Sequence, residues 1–425
     1  MKSVSWPTDN TDQQEPPSSS FHSFREDFNN LKMCLTFFYL NPDPKEGTFS
    51  FVLVFNRDEF LTRKTDPAKW KDEILCGRDL AEGKEGGTWL GMSLKGKIGC
   101  LTNIYTGTSA NGEGRGFLIQ DYLSSSGTPP SFKMVTACFI CFFKYQDYVE
   151  LIQNLFSSLI KGWKILNFSD LTNNLQKYFQ ELNFEVPLER KKLKQINKVN
   201  ILNESNPDSV DDYLTALASS DRGFSPFNLC LFQVDKKSKM FDGRCYSRSR
   251  AESVVATEGP TAIERAEHGL GNSPMSVPFQ KTLRGKAAFE DVVRALNQTE
   301  KKSELEEKLF AMMRTSGPNL PDDQMALQGS KSIFKSFHDK LSSIFVEMPD
   351  QNYGTRMQTL ILVDFDLNAT FVERRREESA TADWKEERFE FKIENWIWFR
   401  YVKEEMSVLQ RNSISKLKTE FDLDL

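Results

Sequence analysis

The chain has 425 residues, a formal net charge of −5 and 39% hydrophobic residues. That is apolar material for one large domain or two ordinary ones, and the mildly acidic balance argues against nucleic acid as the main partner. Seven cysteines, an odd number spread over the whole length, do not make a disulfide framework and point to a reducing compartment.

Residues 1–32 begin MKSVSWPTDNTDQQEPPSSS, rich in Pro, Ser, Gln and Asp with no apolar run. This composition predicts a disordered extension, and it matches neither a secretory signal nor a transit peptide. Order is expected from Met33, read as the effective start of the protein, with Cys34 as an N-terminal residue displaced by the extension. CLTFFYL (34–40) and TFSFVLVFN (48–56) are β-branched and aromatic runs separated by the turn formers NPDPKEG, which predicts a β-hairpin. In an antiparallel pair the start of one strand lies beside the end of the next. The sulfur of Cys34 is therefore expected next to Arg57 and Asp58 of the polar cluster Asn56-Arg57-Asp58-Glu59.

Further hairpins are predicted over 88–103 about a Lys-Gly turn, over 227–247, and over 357–375 about DFDLN. FEDVVRALNQ (289–298) and SELEEKLFAMMR (303–314) have the three- and four-residue apolar spacing of amphipathic helices. Hairpins with a few helices give an α+β class, helices covering antiparallel sheets. Two stretches break the rhythm and are assigned no function, an atypical insertion at 127–206 and a tail at 394–425, so that 33–393 is one interrupted domain. The longest apolar run, MVTACFICFF at 134–143, is about half the length a bilayer requires, which predicts a soluble chain with no transmembrane segment. Cys138 and Cys141 inside it lack a second pair, and incidental burial is favoured over a zinc or redox site. The run EGKEGG (82–87) lacks the Gly-Lys-Ser/Thr ending of a phosphate loop and is read as a structural turn.

MCLTFFYLNPDP, NRDEF, EGKEGGTWLG, LTN, GRG, GLGNSP and YGTR occur in that order, and together they resemble the NRDE family, also called the transport-and-Golgi-organisation family. The resemblance covers about two-thirds of the chain, 34–126 and 207–393. It implies an N-terminal-nucleophile-hydrolase-like fold, a four-layer α/β/β/α sandwich. It also implies a role in Golgi organisation, protein secretion and haem trafficking, in the cytoplasm with Golgi or mitochondrial association. By analogy with related cysteine hydrolases it implies Cys34, Arg57, Asp58, Asn103, Asn272 and Arg356 as site residues. A free amine on Cys34 would serve as base for its own thiol, Arg57 would favour the thiolate, Asp58 would balance the amine, and Asn103 or Asn272 would donate to an oxyanion. The plainer reading of the same residues is a buried strand cysteine, a structural ion pair and turn-bonding asparagines.

For haem, the histidines are His22, His268 and His338, and Cys-x-x-Cys-His is absent. His268 is the candidate contact, set against an ordinary structural histidine, and no metal site is expected. The leading reading is a carrier of haem or another small apolar ligand that works with Golgi and secretory-pathway proteins. The alternatives are a cysteine amidohydrolase or acyltransferase, and a non-catalytic Golgi adaptor.

Overall fold

The computed structural model describes residues 33–106, 112–125, 209–249, 254–329, 333–376 and 383–393. The extension at 1–32, the atypical stretch at 127–206 with Cys138 and Cys141, and the tail at 394–425 lie outside the described residues. The chain divides into two units, 1–124 with 220–425, and 125–219.

The first unit carries fourteen described strands. They are β1 (Met33–Leu40), β2 (Phe49–Phe60), β3 (Thr65–Lys71), β4 (Ile74–Asp79), β5 (Leu90–Ser93), β6 (Lys97–Asn103) and β7 (Phe227–Val234), followed by β8 (Phe241–Arg248), β9 (Glu258–Ile263), β10 (Glu267–Leu270), β11 (Glu347–Met348), β12 (Tyr353–Asp364), β13 (Asn368–Arg376) and β14 (Trp384–Lys392). The helices are α1 (Phe117–Ser124), α2 (Val210–Ala218), α3 (Gln280–Leu296), α4 (Lys302–Met312), α5 (Asp323–Gln328) and α6 (His338–Leu341). Of these α2 belongs to the second unit. Ser209 caps it by accepting the amide hydrogen of Asp212, which satisfies one of the open donors of a first helical turn.

Two antiparallel sheets result, in the orders β10-β1-β2-β12-β13-β14, with β11 on β12, and β3-β4-β5-β6-β7-β8-β9. The four hairpins expected from sequence are β1–β2, β5–β6, β7–β8 and β12–β13. Gly96 turns the β5–β6 hairpin at φ +82°, and a Cβ there would lie 2.5 Å from Val234 Cγ1. Only glycine meets both demands.

Strand β1 is apolar apart from Thr36, whose hydroxyl donates to Val54 O at 3.0 Å, because both of its faces are covered. Cys34, Phe38 and Leu40 point into the core between the sheets, with Phe51, Leu53 and Phe55 of β2 and Phe232, Phe241 and Met92 of the second sheet. Leu35 and Phe37 point the other way, under Phe289 and Val293 of α3 and Leu305 and Leu309 of α4. On the far side of the second sheet, α1 lays Leu123 and Ile119 close over Gly91 and Gly99, where a Cβ would lie 2.9 Å from Leu123 Cδ1 and 3.1 Å from Ile119 Cγ2, and Tyr122 donates its hydroxyl hydrogen to Phe232 O at 2.9 Å. The layering is α/β/β/α.

Candidate functional site

Cys34 pairs with Arg57 across the β1–β2 ladder, and Met33 pairs with Asp58. Directly paired residues share a face and neighbours alternate, so the NRDE motif is split. Arg57 and Glu59 face the inter-sheet core together with Cys34. Asn56 and Asp58 face the helices. The sulfur therefore lies beside the Arg57 side but on the opposite face from the Asp58 carboxyl, which corrects the expectation that both partners flank it.

On the inner face the Arg57 guanidinium lies 3.8 Å over the Trp89 ring, a cation–π contact. Its Nη2 stands 3.7 Å from Glu59 Oε2, which also meets Arg63 Nε at 3.4 Å, and Arg63 Nη2 pairs with Asp79 at 2.6 Å. On the outer face Asn56 donates to Met313 O at 2.8 Å and Ile344 O at 3.0 Å. Asp58 Oδ1 accepts from Thr355 Oγ1 at 2.6 Å. Burial raises the Asp58 carboxyl to about 7, against the pull of the Lys281 ammonium and the Thr355 hydrogen bond.

Cys34 is only 6% exposed, and its thiol is pushed up to about 12, first by burial and then by the Asp58 charge, which together outweigh Arg57. The expected thiolate is thus not favoured here: desolvation defeats the nearby guanidinium. The Cys34 amide donates to Asn272 Oδ1 at 3.0 Å, and Asn272 Nδ2 donates to Asn103 O at 2.8 Å. Asn103 Oδ1 in turn accepts from the Arg115 guanidinium. Cys34, Asn272 and Asn103 are thus linked by hydrogen bonds, but the Asn272 amide is bonded to the backbone instead of being aimed at an oxyanion.

Arg356 is elsewhere. It is the extra residue where the β2–β12 register shifts between Thr355 and Met357, and its Nη1 donates to Phe60 O at 3.0 Å and to Arg63 O. It fastens the chain leaving β2 instead of adding a cation at the sulfur. His268 pairs with Phe38, four residues along β1 from Cys34, or about 14 Å at strand spacing. Its ring stacks on Phe38 with centroids 5.4 Å apart, and Nε2 meets Glu264 O at 2.9 Å. The 82–87 turn spends its amides on itself: Lys84 N donates to Ala81 O, Gly86 N to Asp79 O and Gly87 N to Lys84 O.

Sequence reasoning missed the residues that hold this arrangement. Asn228 Nδ2 donates to Gly271 O at 3.2 Å and Ser273 O at 2.9 Å, clamping the segment that carries Asn272. Lys281, at the start of α3, is wholly buried. Neither has a local signal, because its partners are distant in sequence. Beyond the end of β2 an open cleft of about 510 Å³ is lined by Phe60, Arg63, Lys64, Leu80 and Glu82, among others.

The sequence pattern of the family described as Transport and Golgi organisation 2 matches residues 33–152 and 166–378. The chain belongs to that family. Among relatives of the same name, the Transport and Golgi organization protein 2 homolog of Bos taurus is 26% identical over 368 residues, covering 85% of this chain and 100% of that protein. The Drosophila melanogaster Transport and Golgi organization protein 2 is 26% identical over 350 residues, 80% of this chain and 91% of that one. A solved structure, the Caenorhabditis elegans N-acylethanolamine-hydrolyzing acid amidase ortholog, is 10% identical with a TM-score of 0.31, covering 77% of this chain and 92% of that chain. That likeness is too loose to assign fold or activity to this Transport and Golgi organisation 2 family member. No helix among the described residues is long and apolar enough to cross a membrane.

Proposed function

We propose that this protein serves Golgi organisation and secretion as a binder of a small amphipathic ligand, and that the end of the sandwich bearing Cys34 is the rigid wall behind the binding cleft. The observation that carries the reading is the state of Cys34. Its nitrogen lies in a peptide bond with the fully buried Met33 and gives its hydrogen to Asn272, and its thiol is held neutral. A buried neutral thiol without a free amine is a poor nucleophile.

The cleft has the size of small-molecule sites. Leu80, 40% exposed, and Phe60 offer apolar surface, and Lys64 offers positive charge to an acidic group, with Glu82 and Glu85 also in the lining. The Arg57–Glu59–Arg63–Asp79 ion pairs hold its floor. Haem, the cargo implied by the family resemblance, fits as a flat apolar ligand with carboxylates. The cleft lining has no His, Cys or Met, so haem would be enclosed without an axial ligand, as suits a carrier that must release it. His268 is already engaged by Glu264 O and is not required.

The test is a haem titration of the full chain followed by absorbance. A saturable Soret shift is expected, weakened by Lys64→Glu and by Leu80→Asp, and unaffected by His268→Ala. Absence of any shift would sink haem as the ligand. In cells depleted of the protein, the unaltered chain is expected to restore Golgi morphology and the Leu80→Asp chain to fail.

The cysteine amidohydrolase reading keeps one observation in its favour, the hydrogen-bond chain Cys34–Asn272–Asn103. N-terminal sequencing of native protein and labelling with an acyl electrophile decide it. Covalent labelling of a form that begins at Cys34 would support the enzyme, and no labelling of that form would exclude it.

A further inference from the structure

Arg356 of the YGTR motif is 6% exposed, and a buried guanidinium needs acceptors for its hydrogens. It finds them in the turn that joins β2 to β3. Its Nη1 donates to Phe60 O at 3.0 Å and to Arg63 O. The turn also carries its own bond, Arg63 N to Phe60 O at 3.1 Å, and Leu61 N donates to Asn352 O at 2.9 Å. Asn352 stands just before the motif in the left-handed region, at φ +53°, where asparagine is enriched. Residues 352–356 therefore hold the turn by an amide and by two carbonyls.

Arg356 reaches the turn because of the bulge. Thr355 pairs with Asp58 and Met357 with Arg57, so the residue between them is the extra one. In an unbroken ladder it would stand opposite Arg57. Met357 takes that place, its sulfur accepting from Arg57 Nη1 at 3.6 Å, and the bulge re-aims Arg356. The turn it reaches is part of the cleft. Phe60, Thr62, Arg63 and Lys64 belong to the lining, and Arg356 does not. Leu80 N donates to Lys64 O at 3.0 Å, and Arg63 pairs with Asp79 at 2.6 Å, which joins the turn to the rest of the lining.

We propose that Arg356 is a positioning residue of the cleft: it fixes the backbone from Phe60 to Arg63, and with it the place of the Lys64 cation, without touching the ligand itself. This rests on the reading of the cleft as the binding site. A wall already ordered before the ligand arrives has less freedom to lose on binding. The YGTR arginine then acts on affinity at the cleft and takes no part in chemistry at Cys34.

The test is hydrogen exchange of the full chain, read by mass spectrometry on the segment 60–65 and, as a reference, on β7 of the other sheet. Arg356→Met should quicken exchange in 60–65 about tenfold or more and leave β7 unchanged. Arg356→Lys, which keeps the charge but not the planar amino group, should quicken it less. No change at 60–65 in folded Arg356→Met, or an equal change in β7, would overturn the proposal. Should Arg356→Met not fold, Arg356→Lys carries the test, and unchanged exchange at 60–65 overturns it. In the haem titration the folded variant should need about ten times more haem for half-saturation, and an unaltered value would also overturn the proposal. The exchange arm needs no ligand, so a failed clamp is told apart from an unaltered chain that does not bind haem.

Discussion

The two faces of β2 at the NRDE motif are built on opposite principles. The inner face is ionic and aromatic: Arg57 is flattened on Trp89 and shares Glu59 with Arg63, next to Asp79. The outer face is held by hydrogen bonds, Asn56 to Met313 O just after α4 and to Ile344 O, and Asp58 to Thr355. The difference shows how four consecutive polar residues can lie inside a protein. The strand period sends them alternately to an inter-sheet layer, where charges pair across strands, and to a helix layer, where open carbonyls need donors. Paired charges and satisfied carbonyls meet the same requirement, that buried polar groups find partners.

Breaking the inner face should have the largest effect. Trp89→Ala removes a ring that is 7% exposed together with the Arg57 stack, and should cost about 3–5 kcal/mol in denaturant unfolding. On the outer face Asn56→Ala strips the donors from Met313 O and Ile344 O. Met313 O keeps Gln358 Nε2 at 3.3 Å, so one buried carbonyl is left open, which should cost about 1–3 kcal/mol by the same measurement.

Acid titration of stability sharpens the comparison, since each face has one carboxyl with a raised midpoint. Asp58 outside and Glu373 inside, the latter accepting from Ala68 N at 2.8 Å, both titrate at about 7, chiefly through burial, against about 4 in an unfolded chain. Between those values the native state keeps protons that the unfolded chain has lost, so stability should fall as pH rises from about 4 to about 7 and level off above. Asp58→Asn and Glu373→Gln should each reduce that fall. The smallest effect should come from an ion pair on neither face. Arg222 and Glu113 meet at 2.7 Å but are 40% and 47% exposed, and Glu113→Gln should change unfolding free energy by about 0–1 kcal/mol.

Much of this was legible from local pattern. The hairpins were readable because β-branched and aromatic runs were punctuated by turn formers, and α3 and α4 because their apolar spacing fits one helix face. The pairing of Cys34 with Arg57 also followed from hairpin geometry. The face of Asp58 was readable in principle from the same two-residue period, yet the motif invited reading as one cluster. Arg356 could not be placed from sequence, since a single bulge residue redirected it to Phe60 O and Arg63 O. Lys281 was hidden for a different reason: a lysine in an amphipathic helix ordinarily lies in water.

By itself the sequence determined the α+β class, the strands that carry Cys34 and Arg57, and membership in a family through motifs in a set order. These depend on neighbours along the chain, where period, turn chemistry and residue type act directly. The tertiary structure alone decided that burial raises the thiol, that Asn272 is bound to backbone, and that Asp58 lies on the helix side of its strand. Each of those depends on burial and on partners from distant segments, and desolvation is a property of the packed molecule that no stretch of sequence carries.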